Sequence, residues 1–473
     1  MASKKDLVEA HAFSRRRLVT AFVSGAPGGR EVEPARPGRI IIGGLALTVL
    51  LIAGAAVAGV FTKKTPDDWA KVGLYVSKEG GRYIITEDSD PAVVRPIANI
   101  TSAKLILGAD AKATVVSEEA IDKETPGEEI GILGAPETPP SIEQLIPAGW
   151  TACTTNASGV RVLVHEKPDV TATPTGGATV VRVGQGKTAG YYLLAQSAAT
   201  SSDIPSVYSY KLPENGSARD NMLRNLQLPT ATATEVPESF LTLFPTGGSL
   251  EMKSMGISGM GEPVTYSRPE SGIPSGARVG DMLRLPGGQS LILTKEGPAD
   301  LDEFAAAVYP VMQGRAQVTQ MRGDLGQATV PAPYLGAHWP ASMLRPVLGE
   351  VCAQLNPAAG SRPRVDLVQA PGALASATEV PAQAKSVLVQ PGRGAMVLGG
   401  DWADSDRGSP YLIDATGRTY PLVGGSAKTQ LGYGSYDAPV VPDSWLELFE
   451  RGVSLSQSAA LCPPVVSKDE TCE

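Results

Sequence analysis

The sequence has few residues of the kinds that build metal centres. Histidine occurs only as His11, His165 and His338 among 473 residues, and no two of the four cysteines form a Cys-x-x-Cys pair. Protein zinc sites draw most of their ligands from closely spaced cysteine and histidine residues. The sequence therefore argues against a zinc site, and we expect neither a metal nor another cofactor.

Motifs of common enzymes are also missing. The chain has no Gly-x-Ser-x-Gly nucleophile elbow, and its histidines have no recognisable triad partners. Gly186-Lys187-Thr188 resembles the end of a phosphate-binding P-loop, but that loop also requires a glycine where Val181 stands. We predict that this segment is a turn between two strands. We expect no catalytic residue and interpret the chain as non-enzymatic.

Aromatic side chains and basic charge are both scarce. Aromatic residues make up 5% of the chain, whereas it contains 52 glycines and 39 prolines. This composition favours many short strands joined by turns. The formal net charge of −8 makes the chain a poor binder of nucleic acid. The low aromatic content also argues against stacking of sugars, although a cell-envelope glycan-binding module is one alternative function.

One long apolar stretch contrasts with these shortages. Residues 40–61 contain no charged residue. At about 1.5 Å per residue a helix of this length reaches roughly 33 Å, enough to cross a hydrocarbon core of about 30 Å. A soluble helix would show a polar face, which is missing here. We predict a transmembrane helix, and its glycines permit close approach of partner helices: Gly43, Gly44, Gly54 and Gly59.

The charges on either side of this stretch orient it. Residues 1–39 carry eight basic and four acidic residues, a net charge of +4, so the rest of the chain carries −12. Positively charged segments stay in the cytoplasm, which places the arm inside and the domain after Phe61 outside. A cleaved twin-arginine export signal at Arg15-Arg16-Arg17 is the alternative. Signal peptides have a shorter apolar region and a shorter leading segment, so we favour a retained, single-pass anchor.

Four segments after the span share a pattern. In each of them a short marker precedes a strand-like run, which predicts a β-hairpin-rich repeat unit with a short helix. The markers are Val72-Gly73, Val183-Gly184, Val279-Gly280 and, more loosely, residues 389–392, and the runs begin at Tyr83, Tyr191, Leu291 and Tyr411.

A helix-start motif occurs twice. Residues 236–250 and 441–455 align without a gap. Proline followed by an acidic residue and serine predicts the start of a helix, and the apolar residues after it recur at helical spacing. We therefore assign four aromatic residues to the core of the repeats: Phe240, Phe244, Trp445 and Phe449.

The cysteines add a second level of duplication. Cys153 and Cys352 follow similar Leu-Gly-Ala segments about 200 residues apart, and the repeat units and helix-start motifs share this offset. The offset predicts two halves that pack about a pseudo-twofold axis. Four cysteines allow three pairings, and this symmetry makes Cys153 with Cys352 the natural one. Cys462 and Cys472 would then close a small loop at the carboxyl terminus.

The predicted fold is a membrane-anchored α+β protein. One amino-terminal transmembrane helix is followed by an elongated extracytoplasmic domain of β-rich tandem repeat units around a central pseudo-twofold domain. The segments are a basic cytoplasmic arm (1–39), the helix (40–61), repeat units (62–125, 171–268, 269–325 and 376–460), central segments (126–170 and 326–375) and a tail (461–473).

Together these features resemble a known family. The arm sequence FSRRRLVTAFVSG, the single span after it, the tandem units and the two central cysteines are similar to EccB, a core membrane component of the actinobacterial type VII (ESX) secretion system. The resemblance implies an inner-membrane protein with a cytoplasmic amino terminus, acting in a large oligomeric complex. The implied partners are further copies of itself, lipid, EccC, EccD, EccE and the mycosin protease.

Two points of the resemblance stay open. The family has also been described as ATPase-like, and this sequence shows no Walker motif to carry that activity. The Cys462 and Cys472 tail does not map onto the family pattern.

Overall fold

A computed structural model of the chain describes residues 65–464 except 67, 157, 200–204, 230–232, 267–271, 315–317, 327 and 348. These residues belong to one compact unit that runs from Lys64 to Glu473. Among them, no helix has the length and apolar character needed to cross a membrane. The fold is mixed α+β and rich in sheet, as the sequence predicts. Several predicted features lie outside the described residues: the arm, the 40–61 span with Gly43, Gly44, Gly54 and Gly59, and Cys472.

The first sheet sets a pattern that recurs. Three consecutive strands form an antiparallel meander, and a fourth strand lies parallel beside the first. A parallel pair requires a crossover connection, which a helix capped by Asn99 supplies here. The elements are β1 (Gly73–Ser77), β2 (Arg82–Ile85), β3 (Val93–Pro96), α1 (Ile100–Leu107), β4 (Ala113–Val116), α2 (Glu118–Ile121) and β5 (Thr125–Pro126). Their order in the sheet is β4-β1-β2-β3-β5.

The chain then contributes three strands to a central sheet before it forms a second sheet. The central strands are β6 (Trp150–Cys153), β7 (Val160–Val164) and β8 (Thr171–Ala172). The second sheet contains β9 (Gly177–Val183), β10 (Gly190–Gln196), β11 (Val207–Lys211), α3 (Gly216–Asn225), β12 (Thr234–Glu235) and α4 (Glu238–Leu241). Its strand order, β11-β10-β9-β12, repeats that of the first sheet.

The third sheet has the same order and precedes the second half of the central sheet. It contains β13 (Met282–Arg284), β14 (Ser290–Leu293), β15 (Pro298–Leu301), α5 (Glu303–Gln313) and β16 (Val318–Gln320), in the order β15-β14-β13-β16. The chain continues through β17 (Arg345–Pro346), β18 (Cys352–Asn356), β19 (Arg364–Gln369), α6 (Pro371–Ala377) and β20 (Lys385–Val389).

The fourth sheet closes the described part of the chain. It contains β21 (Ala395–Gly400), β22 (Ser409–Ile413), β23 (Arg418–Pro421), α7 (Ala427–Gln430), β24 (Val440–Pro442), α8 (Asp443–Leu446) and β25 (Glu450–Arg451), followed by α9 (Gln457–Ala460). The order is β24-β21-β22-β23-β25. A meander, a helix and a strand parallel to the first strand therefore occur in all four sheets.

One of the sequence markers is not equivalent to the others. The four strand-like runs all fall on the second strand of a sheet, which agrees with the repeat pattern. Val72-Gly73 leads into β1, but Val183-Gly184 lies at the end of β9. The reason is that β9 is seven residues long and starts upstream at Gly177, whereas β1 has five residues. The equivalence of Val183-Gly184 with Val72-Gly73 is therefore wrong.

The four sheets share apolar cores in two pairs. The first and fourth sheets pack through α1, α7 and α9, with Leu105 and Tyr420 in one cluster. The second and third sheets pack through α3 and α5, with Tyr210 and Phe304 in another. In each pair, a helix from one sheet contacts a helix from the other. The second and third repeats, which share one core, are neighbours along the chain. The first and fourth repeats, which share the other core, are not.

Candidate functional site: the central sheet and an adjoining groove

The central sheet joins the two halves of the chain. Its strand order is β20-β7-β6-β18-β19-β8. The two middle strands, β6 and β18, run antiparallel with Cys153 opposite Cys352 and Trp150 opposite Leu355. Each middle strand forms a hairpin with the strand that follows it. The arrangement of the four inner strands is therefore the same when viewed from either half.

The outer strands of this sheet cross between the halves. Strand β8, from the first half, pairs with β19 of the second, and β20 of the second half pairs with β7 of the first. The first of these pairings is antiparallel and the second is parallel, so the exchange is not exactly symmetric. Arg345 pairs with Gly177 at the start of β9, and Leu145 pairs with Gly394 before β21. The two halves therefore cannot separate without breaking the backbone hydrogen bonds between them.

A disulfide joins Cys153 to Cys352 across the middle strands, which is the pairing that the sequence predicts. Both cysteines are fully buried. They lie in an apolar cluster with Val368 and with Ala373 and Ala377 of α6. Helix α6 therefore shields the disulfide from solvent on this face of the sheet.

The two helix-start motifs meet on the opposite face. Phe240, Phe244, Trp445 and Phe449 belong to one buried cluster with residues of the central sheet. Trp445 Nε1 donates to the carbonyl oxygen of Leu243 at 3.1 Å, so a residue of α8 binds directly to the end of the equivalent segment. The ring centroids of Phe449 and Trp150 are 5.4 Å apart. The apolar residues of the two helix-start motifs thus pack on each other and on the middle strands of the central sheet.

Polar contacts at the surface link the same two halves. The backbone N–H of Asn156 donates to Glu350 Oε1 at 2.7 Å. Glu166 pairs with Arg393 at 2.9 Å. Both contacts are exposed, and exposed ion pairs contribute on the order of 0–1 kcal/mol. The apolar core and the disulfide, rather than these contacts, hold the halves together.

A groove of about 790 Å³ opens beside the central sheet. It is formed by the start of β11, the segment around His338, the β18–β19 connection and the β21–β22 connection. The ring of His338 stacks on that of Tyr208 with centroids 4.9 Å apart and planes 9° apart. Trp402 and Arg362 line the groove from the other connections. No sequence pattern predicts this groove, because its residues come from segments far apart in the chain.

The Gly186-Lys187-Thr188 segment is placed in a turn, as predicted. These residues form one 3-10 turn between β9 and β10. A P-loop instead leads into a helix whose amino terminus faces the phosphates. The neighbouring groove of about 580 Å³ is lined by Glu235, Glu238 and Lys385, and Glu235 is already paired with Arg182 at 2.6 Å. The described residues of this turn therefore do not have the geometry of a P-loop.

Burial raises the pKa of several tyrosines, among them Tyr210 and Tyr433, and it also raises the pKa of the Asp302 carboxyl group by a large amount. Burial raises the pKa of Asp302 to about 6, although its side chain accepts from Ala305 N and from the Tyr334 hydroxyl. Asp302 caps the amino terminus of α5. Within the described residues, no cluster of histidine, cysteine and carboxylate side chains could hold a metal ion. His165 is exposed, and His338 has the packing role described above.

Of the two tail cysteines, Cys462 lies within the described residues. Cys462 is disulfide-bonded and 4% exposed. Its carbonyl oxygen accepts from Gly131 N at 2.9 Å, which ties the end of the chain to the first repeat. Cys472 lies outside the described residues, so its pairing with Cys462 stays a prediction.

The fold defines a class of protein. Four sheets of similar topology surround a central sheet to which both halves contribute strands, and a disulfide links the two middle strands of that sheet. The sequence pattern of the family described as "Type VII secretion system ESX-1, transport TM domain B" matches residues 1–465. The chain therefore belongs to this family, the EccB family of type VII secretion systems.

Curated relatives match over a shorter stretch. The ESX-1 secretion system ATPase EccB1 of Mycolicibacterium smegmatis (strain MKD8) is 32% identical over 121 residues, which is 25% of this chain and 24% of that protein. The protein of the same description from Mycobacterium tuberculosis (strain CDC 1551 / Oshkosh) is 30% identical over 123 residues, again 25% and 24%. The chain thus spans about a quarter of the length of the curated relatives it matches.

Solved structures are similar over much more of the chain. A chain of an intact ESX-5 inner membrane complex has a TM-score of 0.57 at 19% identity and covers 100% of this chain and 98% of its own length. A chain of the EccB3 dimer from the ESX-3 core complex has a TM-score of 0.60 at 19% identity, with coverage of 82% and 100%. At this identity the similarity shows a shared fold.

Proposed function

We propose that this chain is a non-enzymatic structural subunit of a type VII secretion membrane complex. The observation that carries the proposal is the central sheet, which contains three strands from each half, with the Cys153–Cys352 disulfide between its two middle strands. Such a sheet ties the two halves together, because they cannot move apart without breaking strand pairing. This arrangement suits a scaffold better than an enzyme that must open and close.

The proposed architecture follows the sequence-based division. Residues 1–39 lie in the cytoplasm, residues 40–61 cross the inner membrane and the repeat units lie outside. The two halves are related by a pseudo-twofold axis between β6 and β18, which the symmetric register of these strands supports. The disulfides are compatible with an oxidising, extracytoplasmic compartment. The proposed partners are further copies of the chain together with EccC, EccD, EccE and the mycosin protease.

Native electrophoresis tests the assembly role. Tagged chain extracted from membranes in mild detergent should migrate in a megadalton-scale complex that contains EccC and EccD. Gly54→Leu should weaken that complex, because the added side chain holds partner helices apart. Ala53→Leu is the matched control, because a helix with 3.6 residues per turn would place Ala53 opposite Gly44, and this variant should assemble normally. Recovery of the wild-type chain only as a free monomer would overturn the proposal.

An ATPase is the second candidate, because the relatives that match a quarter of this chain are described as ATPases. The described residues of this chain offer no phosphate-binding loop, so we propose that it does not hydrolyse ATP. Lys187→Ala should leave the ATPase activity of a purified complex unchanged. Loss of activity in this variant, with the complex intact, would favour the enzymatic alternative.

A further inference from the structure

We propose that the groove beside the central sheet, formed by Tyr208, His338, Trp402 and Arg362, is a saccharide-binding site. This inference concerns ligand recognition and does not depend on the assembly role. The groove of about 790 Å³ has room for a few sugar rings. Its lining combines ring side chains with a small number of polar groups, which is the usual composition of a small-molecule site.

The first wall of the groove is a platform of stacked rings. The rings of Tyr208 and His338 are nearly parallel, 4.9 Å apart and 9° from coplanar. The ring of Tyr210 extends this stack, with its centroid 6.3 Å from that of Tyr208. Tyr208 and His338 are only partly buried, so part of the stacked pair faces the groove. The Tyr208 ring is stacked with both His338 and Tyr210, so this wall can offer a sugar the outer face of the His338 ring and the edges of the stacked rings.

The second wall brings another ring and fixed donors. Trp402 is partly buried and packs against the central apolar cluster, which limits its rotation. Arg362 Nε donates to the carbonyl oxygen of Ala403 at 3.1 Å and so connects the β18–β19 and β21–β22 loops. Arg364 pairs with Asp366 at 3.2 Å. These contacts hold the guanidinium groups in place before a ligand arrives, which reduces the entropy lost on binding.

The groove offers both hydrogen-bond donors and hydrogen-bond acceptors, which favours a saccharide ligand. The arginines are donors only, and the exposed carboxylate of Asp401 is an acceptor only. Sugar hydroxyl groups both donate and accept, so they can satisfy both kinds of group. Arg364 is already paired with Asp366, so the charges of Arg362 and Asp401 balance, which suits a neutral sugar better than an acidic one.

An extended peptide fits this groove less well. Peptides that add to a sheet need an unpaired strand edge. Here the side chain of Ser206 donates to the carbonyl oxygen of Val365 at 3.2 Å and accepts from Val365 N at 3.0 Å. Ser209 is bonded to Pro245 and Gly247 on its other side. These contacts occupy the main-chain groups of the described strands that a bound peptide strand would use.

The backbone at His338 gives a second reason to regard the platform as a site. His338 has φ of 53°, a left-handed conformation that favours glycine and asparagine. Its carbonyl oxygen accepts from the Tyr210 hydroxyl, which holds the residue in this conformation. Strained residues of this kind occur at ligand sites, where the surrounding structure enforces them. The consequence here is that the imidazole is set flat against Tyr208.

Isothermal titration calorimetry of the full chain in detergent tests the proposal. Triacetylchitotriose is the neutral probe and trigalacturonate is the acidic one. At least one should bind to the wild-type chain, and Trp402→Ala should weaken that binding by about tenfold or more. Trp402→Phe should retain binding to within about threefold, because it keeps a ring at this position.

A second variant keeps the test decisive if Trp402→Ala fails to fold. His338→Asn removes the ring but tolerates the left-handed backbone, so it should fold normally and bind about tenfold more weakly. Gln383 is a matched control, since it also has a left-handed backbone, with φ of 65°, and lies in a different groove. Gln383→Asn should bind like the wild type. Absence of binding by both probes, or equal binding by wild type and His338→Asn, would overturn the proposal, as would displacement of the sugar by a proline-rich peptide.

Discussion

Single glycine residues allow the backbone to pack closely against a buried tyrosine ring in two of the repeats. Gly452 follows β25, and its N–H donates to the carbonyl oxygen of Thr419 at 2.8 Å. A Cβ atom on Gly452 would lie 2.5 Å from the ring of Tyr420. Gly247 occupies the corresponding place in the second sheet and faces the ring of Tyr210. Both tyrosines are buried, so these contacts require glycine.

Gly452→Ala should therefore destabilise the protein by about 1–3 kcal/mol, the usual range for an overpacked core. The ring of Tyr420 cannot turn aside, because it is 2% exposed and its hydroxyl donates to Asp414 at 3.1 Å. The measurement is the thermal unfolding midpoint of the purified chain. Gly425→Ala is the control, since no atom lies within 4 Å of its added methyl group. Equal midpoints for the two variants would contradict the close contact.

Asp302 should make stability depend on pH. Its pKa is raised from 3.8 to about 6, mainly by burial, so the folded state binds a proton more tightly than the unfolded state. The stabilisation from protonation is complete below pH 3.8 and is lost as the pH rises through about 6. Asp302→Asn should remove this loss, on the order of 1–2 kcal/mol near pH 7, because asparagine still caps the helix.

Unfolding midpoints between pH 4 and 7 check this prediction, where wild type and Asp302→Asn should diverge as the pH rises. Asp302→Ala separates the two roles of the side chain. It removes the cap together with the titration, and should be less stable than Asp302→Asn at every pH. A wild-type curve parallel to that of Asp302→Asn would show that the carboxyl group does not titrate in this range.

At the scale of elements, the two short helices α4 and α8 carry the packing between repeats. Each has four residues, too few for stability in isolation, so tertiary contacts must hold it. The helix-start motif predicts their position because proline and an acidic residue act locally. Trp445 of α8 contacts Leu243, which lies just after α4. This contact depends on the arrangement of the whole chain.

Trp445→Ala should be among the most damaging substitutions. It removes a fully buried indole and leaves the Leu243 carbonyl oxygen without this donor. Large-to-small changes of this kind cost about 3–5 kcal/mol. Leu335→Ala is the control, since Leu335 is 60% exposed and should change the free energy of unfolding by less than about 0.5 kcal/mol. Chemical denaturation of both variants provides the comparison, and similar losses would exclude a special role for the indole.

At the scale of the whole molecule, the central disulfide closes the longest loop. Its cysteines are 199 residues apart. The double variant Cys153→Ala with Cys352→Ala should lose about 5 kcal/mol in the chain-entropy model of the unfolded state. Replacing Cys462 and Cys472 by alanine should cost about half as much, because the predicted loop is short.

Non-reducing peptide mapping and unfolding midpoints test both predictions. Mapping must recover Cys153 linked to Cys352, and should recover Cys462 linked to Cys472. The central double variant should show the lower midpoint of the two. A central variant as stable as wild type would mean that the interleaved strands alone hold the halves together.

The sequence by itself determined the duplication, the composition of the repeats and the pairing of Cys153 with Cys352. These follow from local sequence motifs and from their constant offset along the chain. Neither signal depends on how the chain folds between the motifs. It misplaced Val183-Gly184, because strand length varies between repeats and a two-residue marker cannot report where a strand begins.

Only the tertiary structure decided which repeats pair and which strands cross between the halves. It also brought Tyr208, His338 and Trp402 to one groove, although the low aromatic content of the chain argues against a site that stacks sugars. The physical reason is common to these features. Each depends on contacts between residues that are far apart in sequence, and composition and local spacing carry no information about such contacts.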